Sequence, residues 1–498
     1  MFRLSKSKII SYLQCPKRLW LQVHKPDEAE ISESSIKAIS FGYDVGEVAR
    51  RLYPDGQLAG TYEDLPAALT KTQNILGNNS DAILFEAAFT GEGILILSDI
   101  VEKRNGALHL IEVKASTSVK DYQMNDVAIQ AWVVKSAGYK PKAVVIRHIN
   151  NEFVYPGEGN YVGLFTDEDM TDKATEIDCN IPAWISQCRD ILENEEPVVE
   201  SGDQCGDPFP CEFAVYCNRN LPPDPEYPVT ILPRGRAVAE KLSSLGYTDL
   251  CTVPENMLTN ENHLRVWSAS RSGQAIIDTN VKSVLSEYGY PRYFLDFEGI
   301  NFAVPIWKGT RPYQQVPFQY SCHIDHSDGK LEHYSFLHTT QDSPIRPLIS
   351  DLIEKLGRSG PIFVYNQAYE KTVLSHMAEL LPDLTNEIDS IIERIVDLLP
   401  ITRAHYYHPQ MKGSWSIKAV LPTIAPDLDY ANLDEVTDGG GAQDAFIEII
   451  TPETTTERKQ VLIDKLLKYC GRDTLGLVAI MDFFERDQVR NSIVIEKS

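Results

Sequence analysis

The chain has 498 residues, 43% hydrophobic and 24% charged, so its length and composition are those of a globular protein with two or three domains. No apolar run approaches the length of a membrane span, and the first residues lack the apolar core of a signal peptide, which excludes a membrane-spanning class and predicts a cytoplasmic protein. The formal net charge of −24 argues against phosphate binding over the whole surface, although a local basic surface is sufficient for a nucleic-acid partner.

The N-terminal segment is locally basic. The first 26 residues contain no acid and six basic residues: Arg3, Lys6, Lys8, Lys17, Arg18 and Lys25. A basic binding surface and an ordinary solvated face both fit this pattern. Ser5 or Ser7 can cap a short helix with an apolar face, and Pro16 ends that helix beside Cys15.

The rest of the first half is predicted to be a mixed α/β core. A second helix is expected from Ser35 to Leu52. Three strands, a helix and a further strand then follow in the order Ala82–Phe89, Ile94–Val101, Leu108–Lys114, Asp121–Ala137 and Ala143–His148. A turn at Asn105-Gly106 joins the second and third of these strands.

Three cysteines with regular gaps of five residues, Cys205, Cys211 and Cys217, lie in a loop rich in Pro and Gly that ends this half. Together with Cys15 they form a set of four thiolates, which indicates a metal centre. Nine cysteines in a long chain without a signal peptide do not suit a disulfide framework. We favour an iron–sulfur cluster over zinc, because most zinc sites contain a short Cys-x-x-Cys pair. The other cysteines are interpreted as packing residues: Cys179, Cys188, Cys251, Cys322 and Cys470.

Two predicted strands carry a candidate catalytic group. Asp99 lies on one strand and Glu112 and Lys114 on the next, where alternation places Glu112 and Lys114 on the same face. Two carboxylates can hold Mg²⁺ or Mn²⁺, and a lysine can orient a water against a phosphodiester. A solvated pair of opposite charges is the simpler alternative for Glu-x-Lys alone.

The order of these residues resembles a known nuclease family. Cys15, Glu86, Asp99, Glu112-Val-Lys114, Gln130 and the three late cysteines are similar in order to the RecB-like nucleases of the PD-(D/E)XK superfamily, in the iron–sulfur branch that includes AddB and CRISPR-associated exonucleases. The resemblance covers nearly all of residues 1–220 and implies a restriction-endonuclease-like domain with a 4Fe-4S cluster. It implies Asp99 and Glu112 as metal ligands, Lys114 as the catalytic lysine and Gln130 as the helix glutamine. Many relatives have a metal-binding histidine on the early helix, where this chain offers Glu47 as an oxygen ligand.

Residues 221–290 are predicted to connect the two halves. Leu221 to Val229 is rich in proline and favours a stiff linker. Two short helices, Gly235–Leu245 and Asn262–Ser272, predict a small helical bridge. The bridge is either a plain spacer or a contact to a nucleic-acid backbone through helix N-termini.

The second half, residues 291–498, begins with a buried strand that carries Asp296 and Glu298 on one face. Further strands are predicted at Thr310–Ile324, Leu331–Leu337 and Pro361–Tyr365, and Asn366 leads into a helix that contains Glu370. Asp397 is expected after a further helix. A long helix from Glu457 to Glu485 carries Tyr469 and Asp473, which are one turn apart on the same face.

Bringing Asp296, Glu298, Glu370 and Asp473 together would create a cluster of like charges that repel one another. Two divalent metals about 4 Å apart would neutralise this cluster. Tyr469 could then position a water. The motifs resemble the DnaQ-like exonucleases of the RNase H-like fold, in the subclass that ends in Tyr-x-x-x-Asp, over residues 291–485. The resemblance implies a 3′-5′ exonuclease with four metal ligands, namely Asp296, Glu298, Glu370 and Asp473. Glu370 stands where the family usually has Asp.

Together the two resemblances imply an α/β protein in which a PD-(D/E)XK domain precedes an RNase H-like domain, as in a bacterial and archaeal family that combines the two. We expect a metal-dependent nuclease with two active sites that acts on DNA ends or single strands, in repair or in defence against foreign DNA. The chain has no phosphate-binding loop of its own, so a helicase or another repair protein is a possible partner. An RNA-processing 3′-5′ exonuclease and a nucleic-acid-binding scaffold with decayed sites are the alternatives.

Overall fold

The computed structural model describes residues 4–31, 42, 44–61, 63–428, 436, 438–485 and 493–494. The chain divides into two compact units, each of mixed α/β structure. The first unit comprises Met1–Leu221 and Phe302–Gln314, and the second comprises Pro222–Asn301 and Gln315–Ser498. The predicted helical bridge thus clusters with the second unit. Within the described ranges, every helix is too short or too polar to cross a lipid bilayer.

A seven-stranded sheet forms the centre of the first unit. Its strands are β1 (Leu4–Ser5), β2 (Gln57–Leu58), β3 (Ala82–Gly91), β4 (Ile94–Arg104), β5 (Ala107–Lys114), β6 (Pro141–Ile149) and β7 (Phe165–Asp169). They are ordered β2-β3-β4-β5-β6-β7, and β1 pairs with β4. Strands β3, β4 and β5 form an antiparallel meander, whereas β6 is parallel to β5. The β4–β5 turn is at the predicted position, where Asn105 and Gly106 both adopt positive φ angles.

The helices of the first unit cover this sheet. They are α1 (Lys6–Gln14), α2 (Pro16–His24), α3 (44–51), α4 (Leu65–Asn78), α5 (Asp121–Ser136), α6 (Thr171–Ile177), α7 (Ile181–Glu193) and α8 (Ala214–Asn218). The Ser5 hydroxyl caps α1, and Cys15 lies between α1 and α2, as predicted. Helix α5 connects the parallel strands β5 and β6 and is buried along most of its length. The predicted helix from Ser35 is helical over 44–51, and residues 35–41 and 43 lie outside the described residues.

A five-stranded mixed sheet forms the centre of the second unit. Its strands are β9 (Arg292–Ile300), β10 (Val316–Asp325), β11 (Leu331–Leu337), β12 (Ile362–Val364) and β13 (Ile395–Asp397). The order is β11-β10-β9-β12-β13, with β10 antiparallel to its neighbours and β12 parallel to β9 and β13. A smaller sheet contains β8 (Ile276–Ile277), β14 (Tyr406–Tyr407) and β15 (Ile493–Val494).

The helices of the second unit are α9 (Arg236–Ser244), α10 (Glu261–Ser272), α11 (Val281–Leu285), α12 (Ile345–Leu356), α13 (Ala368–Leu380), α14 (Thr385–Glu393), α15 (Leu398–His405), α16 (Ile417–Ile424), α17 (Gly439–Ile450) and α18 (Thr456–Glu485). The long helix α18 packs on β9 and β10 and agrees with its prediction.

One strand begins later than predicted. The strand expected from Thr310 begins only at Val316, because residues 302–314 form a loop. Gly309 and Tyr313 in this loop have positive φ angles, which an extended strand cannot accommodate. Asp397 follows helix α14, as predicted. It ends strand β13 and caps helix α15, with its side chain accepting a hydrogen bond from the Leu399 N–H.

Candidate functional site

The structure brings the predicted catalytic residues of the first unit together on β4, β5 and α5. Glu112 and Lys114 share a face of β5, and the Lys114 Nζ lies 2.7 Å from the Glu112 Oε1. Asp99 on β4 accepts a hydrogen bond of 2.7 Å from the backbone N–H of Val113. From α5, the side-chain amide of Gln130 donates to the Glu112 Oε2 at 2.5 Å.

Two further residues, Lys6 and Asp126, complete this network, and no sequence motif indicates them as site residues. The Lys6 Nζ lies 2.8 Å from the Glu112 Oε1 and 3.0 Å from the Asp126 Oδ1. The Lys114 Nζ lies 2.5 Å from the Asp126 Oδ2. Asp126 precedes Gln130 by four residues on α5, so helical spacing could have identified it. The network therefore contains three carboxylates and two ammonium groups.

Burial and neighbouring charges perturb this first cluster strongly. Burial raises the pKa of Asp99 to about 8, with a further contribution from the carboxylate of Glu112. Burial also raises the pKa of Glu112, but Lys114 and Lys6 outweigh it and bring that pKa below its ordinary value. For Lys6, burial lowers the pKa, whereas the carboxylates of Asp126 and Glu112 raise it by more. Such perturbed groups are typical of functional sites.

Glu86 and Glu47, two other residues singled out from the sequence, lie in different surroundings. Glu86 on β3 pairs with Arg50 of α3 at 3.2 Å, and burial raises its pKa, with Arg50 opposing this and Glu112 adding to it. Glu86 has a φ of 50°, an unusual backbone conformation for a residue with a side chain. Glu47 instead is exposed on α3 and pairs with Arg51 on the same helix. The contacts of Glu47 thus do not connect it to the cluster.

All four predicted metal-binding cysteines line one small cavity of the first unit: Cys15, Cys205, Cys211 and Cys217. The Gln14 side chain holds the late cysteine loop in place, donating 2.7 Å hydrogen bonds to the carbonyls of Gln204 and Phe209. Lys17 and Arg18 also line the cavity. Each of these cations pairs with a carboxylate, Lys17 with Glu196 at 3.0 Å and Arg18 with Glu212 at 2.9 Å.

In the second unit, three elements converge on one site. Strand β9 contributes Asp296 and Glu298, helix α13 contributes Glu370, and helix α18 contributes Asp473. Burial raises the pKa of Asp296, and the carboxylates of Asp473, Glu298 and Glu370 raise it further, so these acids lie near Asp296. Of the four residues predicted as metal ligands, Asp296 and Glu298 have ligand atoms within 4.8 Å of one another, and Asp473 and Glu370 are near enough to influence the charge of Asp296.

Cys470 is buried, as expected of a packing residue, and it also lies beside the acids of the second unit. Its Sγ lies 3.8 Å from the Asp296 Oδ2. Ligand atoms of Cys470, Asp296 and Glu298 all lie within 4.8 Å of one another, close enough to share one cation. Of the other cysteines interpreted as packing residues, Cys188 and Cys322 are buried, whereas Cys179 is exposed.

A turn stabilised by Asp397 directs Glu370 toward this site. The Asp397 carboxylate accepts hydrogen bonds from the backbone N–H groups of Asn366, at 2.9 Å, and Gln367, at 3.2 Å. Asn366 has a φ of 76°, which asparagine tolerates better than most residues. Glu370 is 2% exposed, and its Oε2 has no hydrogen-bond partner in the described part of the chain. A buried carboxylate oxygen without a partner is costly, so it fits a cation ligand.

The buried acids of the candidate metal site have raised pKa values. Burial, together with the carboxylate of Asp473, raises the pKa of Glu298 to about 8, although Lys418 opposes this. Burial also raises the pKa of Glu370 to about 8. Buried carboxylates that repel one another in this way can be stabilised by a cation. The donor set of carboxylates and one thiol suits a divalent metal ion.

Tyr469 lies beside these acids on α18. It is 4% exposed, and burial and the carboxylates of Asp473 and Glu298 raise its pKa well above the ordinary value. The Lys418 Nζ is 5.5 Å from the centre of the Tyr469 ring. Tyr469 therefore remains protonated and can donate a hydrogen bond at this site.

Comparisons with known proteins give similarity without an assigned activity. A family model described as a domain of unknown function, DUF2779, matches residues 293–416. The uncharacterized protein UU173 of Ureaplasma parvum is 26% identical over 39% of this chain and 31% of its own length. The uncharacterized MG366 homolog of Mycoplasma pneumoniae is 26% identical over 46% of this chain and 37% of its own length. The chain thus spans about a third of the length of these curated relatives.

Proposed function

We propose that this protein is a metal-dependent nuclease with two active sites that hydrolyses nucleic-acid strands, with DNA ends or single strands as its substrates. The observation that carries the proposal is the convergence of Asp296, Glu298, Glu370 and Asp473 in the second unit, where the Glu370 Oε2 is buried without a partner among the described residues. An acidic cluster of this kind is suited to divalent cations.

Several features of the second unit support a 3′-5′ exonuclease site. Its sheet has β9 at the centre and β10 antiparallel to it, the arrangement expected of an RNase H-like domain. Asp296, Glu298, Glu370 and Asp473 would hold the cations, which supply Lewis acidity to the phosphodiester when bound. The protonated hydroxyl of Tyr469 would orient the attacking water, and Lys418 would attract the phosphate backbone.

The first unit supports a second nuclease site. Its β3–β5 meander, followed by α5 and the parallel strand β6, is expected of a PD-(D/E)XK domain. Asp99 and Glu112 would hold a cation, and Lys114 would contact the reacting phosphate. A cavity of about 350 Å³ beside Lys114 is also lined by Lys6, Arg18, Tyr122 and Phe209. Cations and aromatic rings together are typical of surfaces that bind single strands.

We assign the four-cysteine centre to a 4Fe-4S cluster with a structural role. Phe209 lies in the cysteine loop, and its ring packs edge-on against Tyr122 of α5, with the two ring centres 4.7 Å apart. The loop thus forms one wall of the cavity beside Lys114. A cluster that orders this loop would maintain the proposed binding surface of the first unit.

Cleavage of labelled strands tests the proposal. The full-length protein is incubated with 5′-labelled DNA and RNA single strands in Mg²⁺ or Mn²⁺. We expect the wild type to cut at least one polymer and the double variant Lys114→Ala/Asp296→Ala to cut neither. The matched control is Lys142→Ala/Asp389→Ala, which changes two exposed residues with the same chemistry. Intact strands after incubation with wild type in both metals would contradict the proposal.

A further inference from the structure

A large cavity in the second unit is separate from the carboxylates of the candidate metal site. Its volume is about 680 Å³, within the range of about 300–1,000 Å³ that is usual for ligand-binding sites. Its walls come from the helical bridge, including Arg234 and Asn262, and from the core, including Tyr365 and Arg403. The bridge therefore does more than connect the two halves, because it forms part of this cavity.

The charge of the lining is unusual for this chain. Acidic residues outnumber Lys and Arg by 71 to 47 in the whole sequence, yet the lining contains two arginines and no acid. Neither Arg234 nor Arg403 forms an ion pair with a carboxylate within the described ranges. Two guanidinium groups left without carboxylates in an acidic protein favour an anionic ligand.

The aromatic and amide groups of the lining narrow the chemistry of this ligand. The Arg403 guanidinium lies 6.0 Å from the centre of the Trp415 ring, and the Tyr365 hydroxyl donates a 2.7 Å hydrogen bond to the Trp415 carbonyl. Planar rings and guanidinium groups stack with nucleobases, and asparagine amides such as that of Asn262 hydrogen-bond base edges. A phosphate without a base would contact the two guanidinium groups but not the aromatic rings.

Some residues that line the cavity are also sequence neighbours of residues at the candidate metal site. Asn366 lines the cavity and belongs to the turn that directs Glu370. Ile417, another lining residue, immediately precedes Lys418, which influences Glu298. The cavity and the candidate metal site are therefore built on the same elements of the second unit.

We propose that this cavity binds nucleotides of a single-stranded nucleic acid, with Arg234 and Arg403 contacting phosphates and Tyr365 contacting a base, upstream of the bond that is cut. This inference rests on the proposed function, whose substrate class it narrows to unpaired strands. A duplex would not place its stacked bases against these groups.

Binding to fluorescent 12-nucleotide strands of oligo-dT and oligo-U, without divalent cation, tests the inference. We expect Arg403→Gln and Arg234→Gln each to weaken binding about 10-fold and to reduce the slope of log affinity against log salt by about 0.7 for each lost phosphate contact. Arg346→Gln is the control, because it removes the same charge from an exposed arginine that pairs with Asp383. The two polymers distinguish a DNA strand from an RNA strand.

If both cavity variants bind like Arg346→Gln, the inference is wrong while the proposed function stands. If the wild type neither binds nor cuts a strand, both fail. Photocrosslinking of wild type to strands carrying 5-iodouracil covers the case in which a variant does not fold. We expect adducts on the peptides that contain Tyr365 or Trp415, and adducts that are confined to other peptides would overturn the inference.

Discussion

Replacing Glu370 with glutamine should stabilise the metal-free protein near neutral pH while it removes metal binding at the second site. Burial raises the pKa of Glu370 from an ordinary value of 4.5 to about 8. Between these values the folded state retains a proton that the unfolded chain has released, so stability falls as pH rises from 4.5 to 8. Glutamine has no such proton to lose.

The size of this change in stability follows from the interval between the two pKa values. At pH 7 the solution lies about 2.5 pH units above the ordinary pKa, and each unit corresponds to about 1.4 kcal/mol. The carboxylate therefore costs the folded metal-free protein up to about 3 kcal/mol at pH 7 and almost nothing at pH 4.5. Glu370→Gln should remove this cost and raise the melting temperature of the second unit by several degrees.

Calorimetry of the full-length protein in EDTA, at pH 5 and at pH 7, measures the effect. Glu379→Gln is the control, because it makes the same change at an exposed position of the same helix. In an Asp99→Ala background, which removes the proposed cation site of the first unit, adding Mn²⁺ should stabilise the protein with Glu370 or Glu370→Asp but not the protein with Glu370→Gln. The reasoning is refuted if Glu370→Gln melts no higher than wild type at pH 7 and still gains stability from Mn²⁺.

Four further predictions concern other residues. Cys211→Ser should lose the brown colour and the iron of protein purified without air, whereas zinc without iron in the wild type would exclude the cluster. Lys114→Ala should abolish cleavage by the first site and leave strand binding nearly intact, measured in an Asp296→Ala background with Lys142→Ala as the exposed control. Tyr469→Phe should slow 3′ trimming and preserve Mn²⁺ binding, measured by titration calorimetry; unchanged trimming would exclude its role. Burial, together with His333, lowers the pKa of His323 to about 4, so stability should decline as pH falls from 6.5 toward 4, and His323→Asn should decline less over the same range.

Local patterns predicted the secondary structure around both candidate sites. Alternation along β5 placed Glu112 and Lys114 on one face, and their contact agrees with that placement. The Asn105-Gly106 turn and the Ser5 cap are determined by residues next to one another, so the sequence alone was sufficient.

Local sequence patterns could not predict contacts between residues that are far apart in the sequence. Lys6 contacts Glu112, which is 106 residues away in the sequence. No local pattern indicates such a contact. Cys470 lies on a helix that is buried on several sides, so helical periodicity does not show which side faces the acids. Asp397 holds the turn before Glu370 through backbone N–H groups, which every residue except proline has, and the sequence therefore could not indicate that role.

The most direct test of the central claim is the product ladder of a 5′-labelled single strand in Mn²⁺. In a Lys114→Ala background, which removes the first site, we predict a ladder that shortens progressively from the 3′ end. Adding Asp296→Ala to that background should leave the strand at full length, whereas adding Asp389→Ala should not change the ladder. Persistent 3′ trimming by Lys114→Ala/Asp296→Ala would contradict the account, because the second unit would then not contain the active site proposed for it.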